Sequence, residues 1–148
     1  KHPLDGFGFL APEVEKRHVL GGLFPSSLFP GRAPEGWVAL TAFVGGAIHP
    51  ERAGVSTDRI LDQTLRDLRH LLRLRGEPIL SRVEIWRPAI PQYWVGHGSL
   101  KASATAFEEA NPGGFIGGNL LYGVSMGDCI RNSTALADRM GKVLRSGA

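Results

Sequence analysis

The most informative segment of this chain reads Gly113-Gly114-Phe115-Ile116-Gly117-Gly118-Asn119-Leu120-Leu121-Tyr122-Gly123-Val124-Ser125-Met126-Gly127-Asp128-Cys129-Ile130. A short apolar strand, predicted over residues 115–118, enters a glycine-spaced turn, and an amphipathic helix is predicted from about Ser125 to Leu144. Glycine is needed where the backbone turns tightly or approaches a ligand without an intervening Cβ. The first amides of a helix carry a partial positive charge that suits an anionic or electron-rich ligand. The pattern therefore predicts half of a cofactor site.

Composition narrows the class of protein. The 148 residues suffice for one domain with a real core, and a hydrophobic content of 43% is ordinary for a globular protein. The 17 Lys and Arg residues are interspersed with 14 acids, so no nucleic-acid-binding stripe is indicated. No apolar run reaches the roughly 20 residues of a transmembrane helix. Cys129 is the one cysteine, which excludes an internal disulfide and favours a reducing, cytoplasmic location.

The first half of the chain predicts three strands, over residues 7–10, 17–24 and 37–44. Turn-forming residues and no helix separate them, so an antiparallel meander is expected. The near-continuous apolar run at 37–44 is typical of a central strand that is buried on both faces. The paired glycines Gly21 and Gly22 indicate a bulge or a close backbone approach in the second strand. Together with the helices below, this predicts an α+β fold with an antiparallel or mixed sheet.

The remaining elements are a long helix, a strand and a shorter helix. Ser56 or Thr57 caps a helix that is predicted to reach Arg75, with Gly76 after it. Leucines at helical spacing form its expected buried face: Leu61, Leu65, Leu68 and Leu72. A strand is then expected over residues 79–86 and a helix over 99–110.

Three sequence patterns could indicate cofactor binding, metal binding or hydrolase catalysis, and each has a simpler interpretation. Residues 6–11 match a dinucleotide-binding fingerprint, but no strand precedes them and no long helix follows, so we interpret the match as chance. Five histidines without ligand spacing and one cysteine predict no metal site. His49 and His97 are each assigned a hydrogen-bonded structural role. Residues 123–127 match the nucleophile elbow of serine hydrolases around Ser125, but no histidine follows, so this chain alone cannot complete a triad.

Five short motifs follow one another along the chain, at residues 3–13, 20–32, 44–51, 90–97 and 118–130. Their combination in this order identifies a family more specifically than any single motif does. The sharpest is the last, in which Gly118 and Gly123 are followed by Val124 and then by Asp128-Cys129-Ile130. Together, over nearly the whole chain, these motifs resemble the C-terminal portion of the protoporphyrinogen oxidases, flavoenzymes with an amine-oxidase-like fold. Ile48 departs from the pattern, since that family often has arginine there.

The resemblance implies an FAD cofactor, a porphyrinogen substrate and molecular oxygen as oxidant, in heme and porphyrin biosynthesis. The activity implied is conversion of protoporphyrinogen IX to protoporphyrin IX. The C-terminal turn would lie against the flavin, which implies a set of cofactor-binding residues: Gly118, Asn119, Gly123, Val124, Ser125 and Met126. Amides at the start of a helix can stabilise the negative charge of a reduced flavin. No catalytic residue is assigned, because in flavin oxidases the cofactor carries the chemistry.

The resemblance also implies how the chain is organised. Residues 1–112 would be part of the substrate-domain sheet and its helices, which shape a large apolar pocket. Residues 113–148 would be the C-terminal strand, turn and helix of a split FAD-binding domain. The N-terminal glycine fingerprint is missing and the chain starts at Lys1 without a methionine, so we expect a fragment of a longer parent. Its flavin site would be incomplete, and the fragment alone is expected to be inactive.

The partners implied are the missing N-terminal FAD-binding portion, the porphyrinogen and oxygen. A homodimer and peripheral attachment of the parent to the inner membrane are also compatible with the resemblance. Three alternatives stay open from the sequence. One is a related flavin oxidase that acts on coproporphyrinogen, an amine or a carotenoid. Another is a non-catalytic module that docks on a separate FAD-binding chain, and the third is a serine hydrolase that uses Ser125.

Overall fold

The computed structural model describes residues 2–88 and 90–146. Lys1, at which the chain is expected to be cut from its parent, and the last two residues of the predicted segment 113–148 lie outside this part. The chain forms two compact units, one reaching Ile85 and the other beginning at Trp86. The α+β class is confirmed. The functional division at residue 112 stays a prediction, because it concerns roles and not packing.

The first unit is built on a three-stranded antiparallel sheet in the order β1-β2-β3, which confirms the meander. Its strands are β1 (Gly8–Leu10), β2 (Val19–Leu23) and β3 (Thr41–Val44). The register slips between Val19 and Gly21, so the bulge expected from the paired glycines is present. A Cβ on Gly22 would lie 2.8 Å from Cε1 of Phe9, so glycine lets that ring lie across the strand.

The prediction of a central, doubly buried strand over residues 37–44 is wrong. β3 begins only at Thr41 and, among the strands of the described residues, pairs with β2 alone, so it lies at the edge of the sheet. The residues before it are held by a side chain instead, since the Ser26 hydroxyl accepts a hydrogen bond from the Ala39 N–H at 3.0 Å. Trp37 is 51% exposed. An apolar run alone does not distinguish a buried strand from an exposed segment.

One long helix, α2, covers this unit; it follows the short α1 (Pro25–Leu28) and two 3-10 turns, Glu13–Glu15 and Pro50–Ala53. α2 spans Thr57–Leu72, and the Ser56 hydroxyl caps it by accepting from the Arg59 N–H at 3.4 Å. The helix ends three residues before the predicted Arg75, because Arg73 takes a left-handed conformation with φ 53°. The buried core residues around it are Leu4, Phe24, Leu68 and Leu72.

The second unit contains α3 (His97–Ala110) and α4 (Met126–Ser146), which confirm both predicted helices within a few residues. The strands predicted over residues 79–86 and 115–118 are not formed in the described residues. A strand needs a partner for its backbone hydrogen bonds, and the described part of the chain offers none to these segments. Among the described helices, none is both long and apolar enough to cross a membrane.

Candidate functional site

The segment that leads to the glycine turn is held by a carboxylate. One oxygen of Glu108 in α3 accepts the Ile116 N–H at 2.8 Å, and the other is paired with Arg139 of α4. The Ile116 N–H, followed by Arg139, lowers the pKa of Glu108. Glu108 therefore accepts a backbone N–H that would need a neighbouring strand if residues 115–118 formed the predicted strand.

The turn itself is anchored from the inside. Gly118 has φ +103°, a backbone conformation that favours glycine, and its carbonyl accepts the Leu121 N–H at 3.2 Å. The Leu121 side chain is only 2% exposed and fixes the middle of the turn. A Cβ on Gly117 would lie 2.5 Å from a terminal methyl of Leu136, so a larger residue would require that side chain of α4 to move. The glycine spacing read from the sequence thus has two causes, backbone conformation and close packing.

Side chains from outside the turn hold two of its backbone carbonyl groups. The hydroxyl of Tyr93 donates to the Asn119 carbonyl. The Asn132 side-chain amide of α4 donates to the Tyr122 carbonyl at 2.5 Å. The Lys101 ammonium of α3 lies 5.0 Å from the centre of the Tyr122 ring. The turn is therefore fixed at both ends.

The turn ends in a capped helix. The Ser125 hydroxyl accepts the Asp128 N–H at 3.0 Å and donates to the Asp128 carboxylate at 2.7 Å. That hydrogen bond, followed by the one from Arg131 at 2.8 Å, lowers the pKa of Asp128. Gly123 has φ +65°, and a Cβ there would lie 2.6 Å from the Asp128 Cβ. Glycine at position 123 is thus required by both the backbone and the cap.

Most backbone N–H groups of this turn have no hydrogen-bond partner among the described residues, and those of Leu120, Met126 and Gly127 are among them. Met126 is 81% exposed, so the start of α4 is not covered by this unit's own side chains. Arg131 offsets the charge of Asp128, which would otherwise oppose an anion at the helix start. Unpaired amides and an uncovered helix N-terminus fit the electron-rich edge of a flavin ring.

The six predicted cofactor-binding residues lie in this one turn. Gly118 and Asn119 are at its beginning, and Gly123, Val124, Ser125 and Met126 form its end and the start of α4. The structure shows where they lie, and their contact with a flavin stays a prediction. Ser125 is engaged with Asp128, and no histidine is among its described hydrogen-bond partners. A helix cap therefore accounts for Ser125 without a nucleophilic role.

Sequence reasoning missed the residues that hold the turn from outside: Tyr93, Lys101 and Asn132. Tyr93 and His97 stand four residues apart in the motif at residues 90–97, but only the structure shows that their rings stack. The hydrogen-bonded role predicted for the His97 ring is wrong, since it stacks on Tyr93 and its Nε2 has no partner among the described atoms. The same prediction is confirmed for His49, whose ring bonds Glu13 at 2.8 Å and Glu51 at 3.1 Å.

The sheet of the first unit carries an apolar depression of about 190 Å³. Its side-chain lining comes from all three strands: Phe9, Leu10, Leu20, Leu23 and Phe43. Ligand pockets usually enclose about 300 to 1,000 Å³. The large apolar pocket that the resemblance implies is thus not enclosed by the described part of this unit, which offers one apolar wall.

Known proteins include a family and several relatives that this chain resembles in sequence. A family model described as flavin containing amine oxidoreductase matches residues 2–141. Protoporphyrinogen oxidase 2, chloroplastic/mitochondrial, of Arabidopsis thaliana is 37% identical over 149 residues, which cover 99% of this chain and 29% of the relative. Protoporphyrinogen oxidase of Schizosaccharomyces pombe is 30% identical, covering 97% of this chain and 30% of the relative. Coproporphyrinogen III oxidase of Bacillus subtilis is 30% identical, covering 92% and 29%. The chain thus spans less than a third of these relatives.

Proposed function

Since this chain belongs to the family of flavin-containing amine oxidoreductases, we propose that it is part of an FAD-dependent oxidase that converts protoporphyrinogen IX to protoporphyrin IX with molecular oxygen. The observation that carries the proposal is similarity to protoporphyrinogen oxidases along almost the whole chain, including the turn at residues 118–126. Because the chain spans under a third of these relatives, the activity is that of a longer protein. The N-terminal FAD-binding portion is its proposed partner, and the piece alone is inactive.

The proposed flavin contact is the turn between Gly118 and Met126. Here the amides of Leu120, Met126 and Gly127 would donate to the electron-rich edge of the ring, and Gly118 and Gly123 let the backbone approach closely. When bound, the flavin supplies a two-electron acceptor for the porphyrinogen and is reoxidised by oxygen. The chain's own contribution is to bind and orient. No general base is assigned to it.

The proposed substrate contact is the exposed apolar side of the three-stranded sheet. Leu10 is 87% exposed and Phe43 is 49% exposed, and both line the depression described above. Such side chains suit the largely apolar pyrrole rings of a porphyrinogen. The resemblance also leaves room for a homodimer and for peripheral attachment to the inner membrane. A cytoplasmic location stays a prediction for this chain.

A second candidate substrate is coproporphyrinogen III. The relative from Bacillus subtilis, named coproporphyrinogen III oxidase, matches 92% of this chain at 30% identity. The two substrates differ in their charged side groups and share the ring that is oxidised. The choice between them therefore concerns specificity and leaves the flavin chemistry unchanged.

The test is to express the complete gene and purify the protein. We expect a yellow protein with flavin absorption that turns colourless protoporphyrinogen IX into fluorescent protoporphyrin IX while consuming oxygen. Coproporphyrinogen III, assayed in parallel, decides the substrate. A protein that stays colourless and binds a separate flavoprotein would favour a non-catalytic module. Oxidation of neither porphyrinogen by a flavin-loaded protein would contradict the proposal.

A further inference from the structure

Tyr93 lies outside the predicted cofactor-binding set and still contacts it. Its hydroxyl donates a hydrogen bond to the carbonyl of Asn119, a residue 26 positions further along the chain. Tyr93 stands in the irregular segment before α3, so no helix or strand of its own fixes its side chain. Some other contact must hold the phenol ring in place.

That contact is the imidazole of His97, the first residue of α3. The two rings stack with their centres 4.3 Å apart and their planes 20° from parallel. Gly96, with φ +94°, turns the chain so that His97 comes back over Tyr93, and the His97 N–H bonds the Trp94 carbonyl at 3.0 Å. Stacking restricts the rotation of the phenol ring, so less side-chain entropy is lost when its hydroxyl donates.

Holding one carbonyl fixes a whole peptide group. A peptide unit is planar, and in the trans form its C=O and N–H point in opposite directions. The hydrogen bond from Tyr93 to the Asn119 carbonyl therefore also sets the direction of the Leu120 N–H. That N–H is one of the amides without a partner among the described residues.

We infer that Tyr93, held by its stack on His97, is a positioning residue that orients the Leu120 N–H of the Gly118–Met126 turn toward a bound flavin. The inference rests on the proposed function. It deepens that function by naming a side chain that acts on the cofactor through the backbone. Without the hydroxyl, the peptide between Asn119 and Leu120 loses this restraint on its orientation.

The experiment uses the flavin-loaded protein from the complete gene with Tyr93→Phe, which keeps the stacked ring and removes the hydroxyl. One lost hydrogen bond is expected to weaken FAD binding by about three- to tenfold. The visible absorption bands and the midpoint potential of the flavin should shift as well, with only a small drop in the melting temperature of the flavin-free protein. His97→Ala should shift them in the same direction by a smaller amount.

The matched control is Thr134→Ala, which removes another hydroxyl-to-carbonyl hydrogen bond, 3.0 Å long, within α4. It should leave the flavin spectrum, potential and affinity unchanged. If the unsubstituted protein binds no flavin, the proposed function has failed. If it binds flavin and Tyr93→Phe matches it in affinity, spectrum and potential, only the inference about Tyr93 is overturned.

Should Tyr93→Phe not fold, 3-fluorotyrosine at position 93 replaces it, because the fluorinated phenol is a stronger donor of almost the same size. A shift of the flavin bands would then support the inference. Unchanged bands would overturn it.

Discussion

The hydroxyl of Ser125 and the carboxylate of Asp128 hold each other at the start of α4. Ser125 Oγ donates to Asp128 Oδ2 at 2.7 Å and accepts the Asp128 N–H at 3.0 Å. Both polar groups of the first turn are thereby committed to capping. The N–H groups of Met126 and Gly127, which have no partner among the described residues, are what this helix end offers to a ligand.

Removal of the cap should destabilise the chain. Ser125→Ala is expected to lower the free energy of unfolding by about 1 kcal/mol, since the Asp128 N–H loses its acceptor. Ser125→Thr keeps the hydroxyl and should cost much less. Urea unfolding measures both. Equal stability of Ser125→Ala and the unsubstituted chain would show that this cap contributes nothing.

The same geometry predicts that a fluorophosphonate does not label Ser125. Its hydroxyl is bound to a carboxylate, with no imidazole among its described partners to accept its proton. Mass spectrometry of the protein after incubation with the fluorophosphonate measures whether Ser125 carries the label. Labelling that disappears in Ser125→Ala would favour the serine hydrolase alternative.

The two glycines that bound the turn should differ in their tolerance to alanine. Both have positive φ, where an L residue is strained, by about 1 to 2 kcal/mol at the left-handed helical angle of Gly123. Only at Gly123 does the new Cβ also lie 2.6 Å from the Asp128 Cβ, whereas Gly118 has open space. Gly123→Ala should therefore lower the urea midpoint more than Gly118→Ala. The reverse order would contradict the described cap.

Acid should loosen the second unit through Glu108. Its pKa is lowered in the folded chain by the Ile116 N–H and then by Arg139. The stabilisation is thus present above the unfolded pKa of about 4.3 and is lost as pH falls through the lower folded value. Glu108→Gln should reduce the slope with which the free energy of unfolding falls as the pH drops below about 4.3. The neighbouring Glu109→Gln serves as control and should keep the slope; a flattening in both would point away from Glu108.

A stability test of the first unit centres on Asp67 of α2. Its Oδ2 accepts the N–H groups of His18 at 2.6 Å and Val19 at 3.1 Å, which ties the helix to the start of β2. Asp67→Ala leaves both N–H groups without this acceptor and should cost about 1 to 3 kcal/mol in unfolding free energy. Asp62→Ala, which breaks an exposed pair with Arg66, should cost under about 0.5 kcal/mol. If Asp67→Ala and Asp62→Ala lowered the free energy of unfolding by similar amounts, the hydrogen bonds of Asp67 to the start of β2 would not be stabilising.

Local patterns in the sequence predicted much of this fold, and longer-range partners explain the rest. The helices at residues 57–72 and 126–146 follow from periodicity and caps, which are local. The strand expected at residues 115–118 was wrong, since the Ile116 N–H, which in a strand would need a neighbouring strand, donates to the side chain of Glu108, eight residues away. Glycine spacing predicted the turn, the family resemblance assigned six cofactor-binding residues to it, and their contact with a flavin stays a prediction. Tyr93 could not be predicted, because its hydrogen bond to Asn119 joins segments that the sequence does not connect.

The most direct measurement is amide hydrogen exchange in the protein from the complete gene, with and without bound FAD. We expect bound FAD to slow exchange of the Leu120, Met126 and Gly127 amides and to leave exchange in the middle of α3 unchanged. If FAD binds and these three amides exchange as fast as in its absence, the start of α4 does not contact the flavin. That result would contradict the proposed site.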